Sequence, residues 1–200
     1  SRNFGTLSQM KRDMMAEVAA TLAFSTIANN DKVGVIFFSD KVEKFIPAKK
    51  GKTHVLHIIR ELLSFEPTSK GTDMAQALQY FANAQKRHCT AFLISDFIGV
   101  GDMYKPLLVA SNRHEVNAIQ IYDRRETELP DVGLVKFHDA ETGEDLWVDT
   151  SVSSLRNEYA SAWRENQSGV EQLFTRTGVK HVSVRTDEDY VKALMHLFRC

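Results

Sequence analysis

The amino-acid sequence predicts an α/β fold: one doubly wound, mainly parallel sheet flanked by helices. Three observations carry that expectation. Short, almost wholly apolar runs recur at 33–38, 90–94 and 116–122, as strands covered on both faces require. Segments with apolar residues at three- and four-residue spacing lie around and between them, as crossover helices do. The stretch 133–148 departs from this alternation and reads as an inserted β-hairpin, about 132–149, in a single domain spanning 1–200.

Taken in order, residues 10–27 set Met10, Met14, Val18 and Leu22 beside Met15, Ala19 and Ala23, a wide buried stripe, and Asn29-Asn30-Asp31 ends the helix. The run 33–38 follows. After the turn Ser39-Asp40-Lys41 comes an alternating run, 42–47, whose Pro47 suits an antiparallel edge strand. Helices are expected over 55–63, 74–84 and 103–112, separated from the next helix or strand by the core runs 90–94 and 116–122. In the insertion, Leu134-Val135-Lys136-Phe137 and Leu146-Trp147-Val148 flank a turn-rich tip. A long helix then lines up Leu155, Tyr159, Ala162, Trp163, Val170 and Phe174 on one side. A short strand, 181–184, precedes a last helix that opens at Thr186 with Asp189 three residues on, an approximate capping box, and packs Val191, Leu194, Met195 and Phe198.

Composition narrows the function. A chain of 200 residues, 43% hydrophobic, suffices for one sizeable core. The 25 Lys and Arg balance 26 Asp and Glu to a net charge of −1, so no basic excess exists to neutralise a phosphate backbone, and nucleic acid is not an expected partner. Cys89 and the terminal Cys200 make a poor disulfide framework and fit a reducing compartment. No apolar run approaches the roughly 18–20 residues that cross a bilayer, and SRNFGTLSQM has no apolar signal core. The expectation is a cytoplasmic protein that reaches the inner membrane only through partners.

Ligands of open α/β sheets bind beyond the carboxyl ends of the strands, so the polar residues that follow each apolar run carry the information. Three places qualify: Ser1 with Arg2-Asn3-Phe4-Gly5 ahead of the first helix, Ser69-Lys70-Gly71-Thr72-Asp73 ahead of the third, and Ser95-Asp96-Phe97 closing a core strand. Together they resemble the metal-ion-dependent adhesion site of the von Willebrand factor A fold, a Rossmann-like sheet in which a DxSxS loop, a distant threonine and a strand-end aspartate hold a divalent ion. The resemblance would make Ser1 the second serine, Thr72 the threonine and Asp96 the strand-end aspartate, with the leading aspartate and first serine just before Ser1. Mg²⁺ or another hard cation takes oxygen ligands and keeps several waters, which would leave room for a partner's carboxylate. The first central strand of such a sheet would also precede Ser1, leaving the runs 33–38 and 90–94 without a ladder partner between them.

A second resemblance covers nearly the whole chain. SRNFGT, NNDKVGVIFFSD, KGTDMAQAL, LISDF, IYDRRETELPDVGLVKFHDAETGEDLWVDT and GVKHVSVRTDEDY are similar to the bacterial family named domain of unknown function fifty-eight, in particular its soluble members from Bacteroides-type aerotolerance operons. The resemblance implies an A-type domain encoded beside a MoxR-type AAA+ ATPase and other A-domain proteins, with a role in protein assembly or stress tolerance and no established catalytic activity.

Plainer readings stand beside these. Gly-Thr-Asp before Met74 is ordinary helix-capping chemistry for Thr72, Asp96 suits a turn, and Ser1 is a chain terminus. Ala48-Lys49-Lys50-Gly51-Lys52-Thr53 ends like a phosphate-binding loop, but Ile46 stands where its first glycine belongs. His54 and His57 lack a third zinc ligand. Trp147, Trp163 and Tyr159 are expected to pack the hairpin against the long helix. Arg124 and Arg125, after a core strand on the site face, are the charged candidates for partner contact, with Asp73. No GxSxG elbow supports a hydrolase. The leading expectation is therefore an interaction module rather than an enzyme. A Rossmann-like or phosphohydrolase-type enzyme using the same strand ends, and a metal-free scaffold, are the alternatives.

Overall fold

The computed structural model of the chain describes residues 2–69, 71–99, 101–138 and 145–199. Its elements run α1 (Arg2–Ala28), β1 (Val33–Phe38), β2 (Val42–Lys49), α2 (Lys52–Ser64), α3 (Met74–Ala84), β3 (Thr90–Ser95), α4 (Tyr104–Arg113), β4 (Glu115–Tyr122), a single turn α5 (Arg124–Thr127), β5 (Leu134–His138), β6 (Asp145–Asp149), α6 (Ser153–Thr177), β7 (Lys180–Arg185) and α7 (Tyr190–Arg199). The architecture is mixed α/β: a parallel sheet β3-β4-β7 flanked by helices, with two antiparallel pairs, β1-β2 and β5-β6.

Strand β4 is the centre. Leu93 pairs with Ala118 on one edge and Ala118 with His181 on the other. The two-residue period of the strand sends Val116 and Ala118 to one face, where they meet Met74 and Leu78 of α3, Leu107 and Ala110 of α4 and Phe174 of α6. Ile119 and Ile121 go to the other, against Val18 of α1, Val182 and Val184 of β7, and Leu194 and Leu197 of α7. Two covered faces explain why the run is almost continuously apolar.

The segment β1 is organised differently. It pairs antiparallel with β2, and among the described residues no ladder joins it to β3. Both strands nevertheless share the same layer. Helix α1 puts Val18 with Phe92 and Ile94 of β3, and Ala23 with Val33, Val35 and Phe37 of β1. On the opposite face, Phe38 of β1 and Ala91 and Leu93 of β3 pack around the same α3 residues. The β1-β2 approach is close at Gly34, where a Cβ would lie 2.7 Å from the Ile46 carbonyl oxygen and 2.8 Å from the Ala48 nitrogen.

Four expectations are corrected. Arg2-Asn3-Phe4-Gly5 belongs to α1 rather than to a loop ahead of it. The run 33–38 is not buried on both faces: only Phe37 is fully buried, because among the described residues one edge of β1 has no neighbouring strand. Helix α7 starts at Tyr190, not Thr186, because the Thr186 hydroxyl donates to Asp123 (2.7 Å), and Asp189 instead accepts the Val191 amide (3.0 Å). Trp147 is 60% exposed rather than buried, whereas Trp163 lies on the Tyr122 ring at 5.5 Å and the Tyr159 hydroxyl donates to the Arg125 carbonyl at 3.4 Å. Among the described residues no helix is long and apolar enough to cross a membrane.

Candidate functional site

The carboxyl ends of β1, β3 and β4 lie at one end of the molecule. The Asp73 amide donates to the Ser39 carbonyl at 2.8 Å, which seats the start of α3 beside the end of β1. Asp73, rather than the expected Thr72, then caps α3 by accepting the Gln76 amide at 2.8 Å. Met74, the first residue of α3, shares a core cluster with Phe97, which follows β3.

The turn after β3 is held from several directions. The buried Gln120 side chain donates to the Asp96 carbonyl at 3.0 Å and accepts the Ser183 hydroxyl at 2.9 Å, a polar tie across all three parallel strands. Asn166 of α6 donates to the Phe97 carbonyl at 3.3 Å. Phe97 has φ of 55°, a left-handed conformation that costs a bulky residue of order 1–3 kcal/mol. Its complete burial and its edge-to-face contact with Phe174, 5.2 Å between ring centres, offset that strain. The turn is thus fixed before any partner arrives.

Within it, the Asp96 carboxylate has one oxygen on the Ile98 amide (3.3 Å) and the other on the Lys11 ammonium (2.7 Å). Lys11 also donates to Glu126 of α5 at 2.5 Å, and Glu126 accepts the Asp123 amide at 3.0 Å with its second oxygen. Burial alone would lower the Lys11 pKa, but the charges and hydrogen bonds of Asp96 and Glu126 outweigh it and hold the ammonium above its ordinary value. One lysine thus ties the ends of β3 and β4 to α1.

Thr72 and Asp73 face a separate, shallow cleft of about 330 Å³, completed by Ala75, Gly99, Gly101 and Asp102. The loop that follows Asp96 forms one wall of this cleft, so Thr72 and Asp96 occupy the same end of the fold. The Asp96 carboxylate, however, bonds to α1 and engages α5 through Lys11, and Asp96 is not among the residues lining the cleft. Ser1 lies outside the described residues. Arg124 and Arg125 are exposed on α5, Arg124 paired with Glu128 at 3.1 Å. The donors present do not fit a divalent ion as arranged: an ammonium 2.7 Å from the Asp96 oxygen stands where an ion about 2.1 Å away would. Among the described residues no group of three or more His, Cys, Asp or Glu is placed to hold a metal.

Lys11, Glu126, Gln120 and Asn166 were not foreseen. A signal for the first was available: Lys11 continues the stripe Met15, Ala19, Ala23 at four-residue spacing, and a lysine in line with a buried stripe calls for a carboxylate partner.

A family model for "Protein of unknown function DUF58" matches residues 1–169. An uncharacterized protein of Mycobacterium tuberculosis, Rv1480, is 31% identical over 195 residues, which cover 96% of this chain and 61% of the relative. The Mycobacterium bovis protein Mb1516 aligns identically, so the chain spans about three fifths of the length of these relatives. Among solved structures, an aerotolerance-related membrane protein from Bacteroides fragilis superposes with a TM-score of 0.55 at 15% identity, covering 92% of this chain and 89% of the other. The conserved hypothetical protein BatB from Bacteroides thetaiotaomicron gives 0.50 at 14% identity with the same coverage. At those identities the likeness is one of fold.

Proposed function

We propose, for a chain that belongs to the DUF58 family, that it is a protein-interaction module presenting the carboxyl end of its sheet to a partner, and that Lys11 supplies there the positive charge a divalent ion would supply in an adhesion site. The observation that carries this reading is the Lys11 bridge to Asp96 and Glu126. It neutralises the strand-end aspartate and at the same time sets the position of α5, whose Arg124 and Arg125 are exposed beside it. A turn fixed by Gln120 and Asn166 is a rigid platform, and preorganisation of this kind lowers the ordering cost of binding. The polar side chains of the site hold backbone groups and one another, an arrangement suited to recognition rather than to proton transfer.

The partner to try first is the MoxR-type AAA+ ATPase that the family resemblance implies, in a role in protein assembly or stress tolerance. Binding of the chain to that ATPase is expected to withstand EDTA and to be weakened by Lys11→Met, which leaves two part-buried carboxylates without their shared cation, each with one backbone amide, at a cost of about 1–3 kcal/mol. Asp96→Asn should weaken it less, because Glu126 still accepts from Lys11. Binding that requires Mg²⁺, is abolished by EDTA and survives Lys11→Met would replace this reading with the metal-dependent one.

A further inference from the structure

The two ends of the sheet carry opposite charge. At the amino ends of β1, β3, β4 and β7, and at the end of the antiparallel β2, whose Lys49 lies opposite Val33, the segments are 31–32, 49–52, 86–89, 113–115 and 179–180. They hold eight Lys and Arg against Asp31 and Glu115 alone. The segments that follow the carboxyl ends of β1, β3, β4 and β7, 39–41, 96–99, 123–128 and 185–189, hold eight carboxylates against four Lys and Arg. A chain whose total is −1 is therefore bipolar, +6 at one end and −4 at the other.

Folding does not account for the basic end. Lys32, Lys49, Lys50, Lys52, Lys86 and Arg87 are all exposed, and none of them is in an ion pair among the described residues. Lys86 and Arg87 follow α3 and complement the negative end of its dipole. Lys50 and Lys52 do the reverse. They flank Gly51, which caps α2 without a side-chain hydrogen bond, so two ammonium groups stand at the positive end of a helix with no carboxylate in its first turn. Such an arrangement destabilises the isolated chain and is relieved by an anionic partner.

Width and chemistry identify that partner. The pair β2-β1 and the sheet β3-β4-β7 make five strands about 4.8 Å apart, so the basic residues are spread over roughly 20 Å, too broad for a single phosphate or carboxylate. Five of the six unpaired cations are lysines, compact charges without the fork by which arginine fixes one anion in one geometry. Phe24, about one turn from the end of α1, and Leu56, about one turn into α2, are 58% and 47% exposed at the same end. Basic and apolar side chains presented together suit the headgroup boundary of a bilayer. The acidic pole lies a six-residue strand away, about 20 Å, or more than two Debye lengths at physiological salt, so an anionic surface that meets the basic end is screened from it.

We infer that the amino end of the sheet rests on an anionic lipid surface, held by its six unpaired cations, with Phe24 and Leu56 entering the headgroup layer. None of these residues belongs to the Lys11 site. In this orientation that site faces the aqueous phase, where a soluble partner can reach it.

Flotation of the full chain with vesicles of phosphatidylcholine containing about one third phosphatidylglycerol tests the assignment. The chain is expected to float with these vesicles, not with vesicles of phosphatidylcholine alone, and to be released as the salt concentration rises. Lys50→Glu should weaken binding about tenfold or more, and Lys86→Glu, in the other half of the sheet, should act alike. Lys105→Glu makes the same charge change at the start of α4, on the opposite end, and should leave binding within about twofold, with the far-ultraviolet spectrum unchanged in all three variants. No flotation with the anionic vesicles, equal flotation with the neutral ones, or equal losses in Lys50→Glu and Lys105→Glu would overturn the assignment. So would binding to a DNA duplex or a polyglutamate peptide that is tighter than to the vesicles at the same salt and is lost in Lys50→Glu, which would make a soluble polyanion the occupant.

Discussion

Strands β1 and β4 are alike on paper and unlike in place. Both are short apolar runs, yet β4 is buried from Val116 to Ile121, while β1 has a single buried residue, Phe37. The difference is one of neighbours: β4 has a ladder on each edge and helices on each face, and β1, among the described residues, has a ladder to β2 alone. Apolar content reports what a strand can bury; the number of paired edges decides how much of it is buried.

The largest test of that contrast is truncation in the two strands. Ile121, at 0% exposure between α1, β7 and α7, should cost about 2–5 kcal/mol as Ile121→Ala. Val35, only half-buried, should cost well under half of that as Val35→Ala. Urea melts of the two variants measure both, and equal losses would mean that β1 is as enclosed as β4.

A smaller effect isolates the β1-β2 pair. Gly34→Ala drives a methyl group into the Ile46 and Ala48 backbone, which no rotamer change can relieve, and should cost about 1–3 kcal/mol. The loss should stay local: hydrogen exchange is expected to speed up in β1 and β2 and to stay slow in β4 and β7. Loosening of all the strands together would show that the two halves unfold as one unit.

What could be read from the sequence follows the same division. The bounds of helix α3 were legible from its apolar repeat, but its cap was expected at Thr72 and is the next residue, Asp73, since Gly-Thr-Asp offers two capping side chains in a row. The β2 edge strand was legible from Pro47. The true start of α7 was not, since Thr186 forms its hydrogen bond with Asp123, 63 positions away, and no local pattern encodes such a partner. The exposure of Trp147 was missed for a related reason: aromatic residues signal packing, but the register that turns this one outward is a property of the folded hairpin. At the candidate site the positions of Thr72, Asp73 and Asp96 at one end of the sheet could be read from strand ends, whereas the cation at Asp96 came from α1, 85 positions earlier.

The mildest perturbation, acid, should separate the two halves by pH window. Next to β4, His114 is 3% exposed, and its Nε2 lacks a hydrogen-bond partner among the described residues. Desolvation, with smaller contributions from the charges of His88 and Arg113, lowers its pKa below the ordinary 6.5. The unfolded chain therefore takes up a proton that the folded chain refuses, so stability is full above pH 6.5 and declines as the pH falls below it. Glu43 of β2 behaves in the opposite sense of charge. The Ser39 and Thr68 hydroxyls, both at 2.7 Å, hold its pKa down to about 2 from 4.5. Its contribution is present above pH 4.5 and is lost as the pH falls toward about 2. Urea melts across this range should show a first decline that His114→Phe flattens and a second, separate decline that Glu43→Gln flattens. The Glu43→Gln chain should also begin less stable at neutral pH, since the hydroxyls then donate to a neutral amide. A first decline unchanged in His114→Phe would place the titrating group elsewhere, and a second decline unchanged in Glu43→Gln would remove the β1-β2 pair as its source.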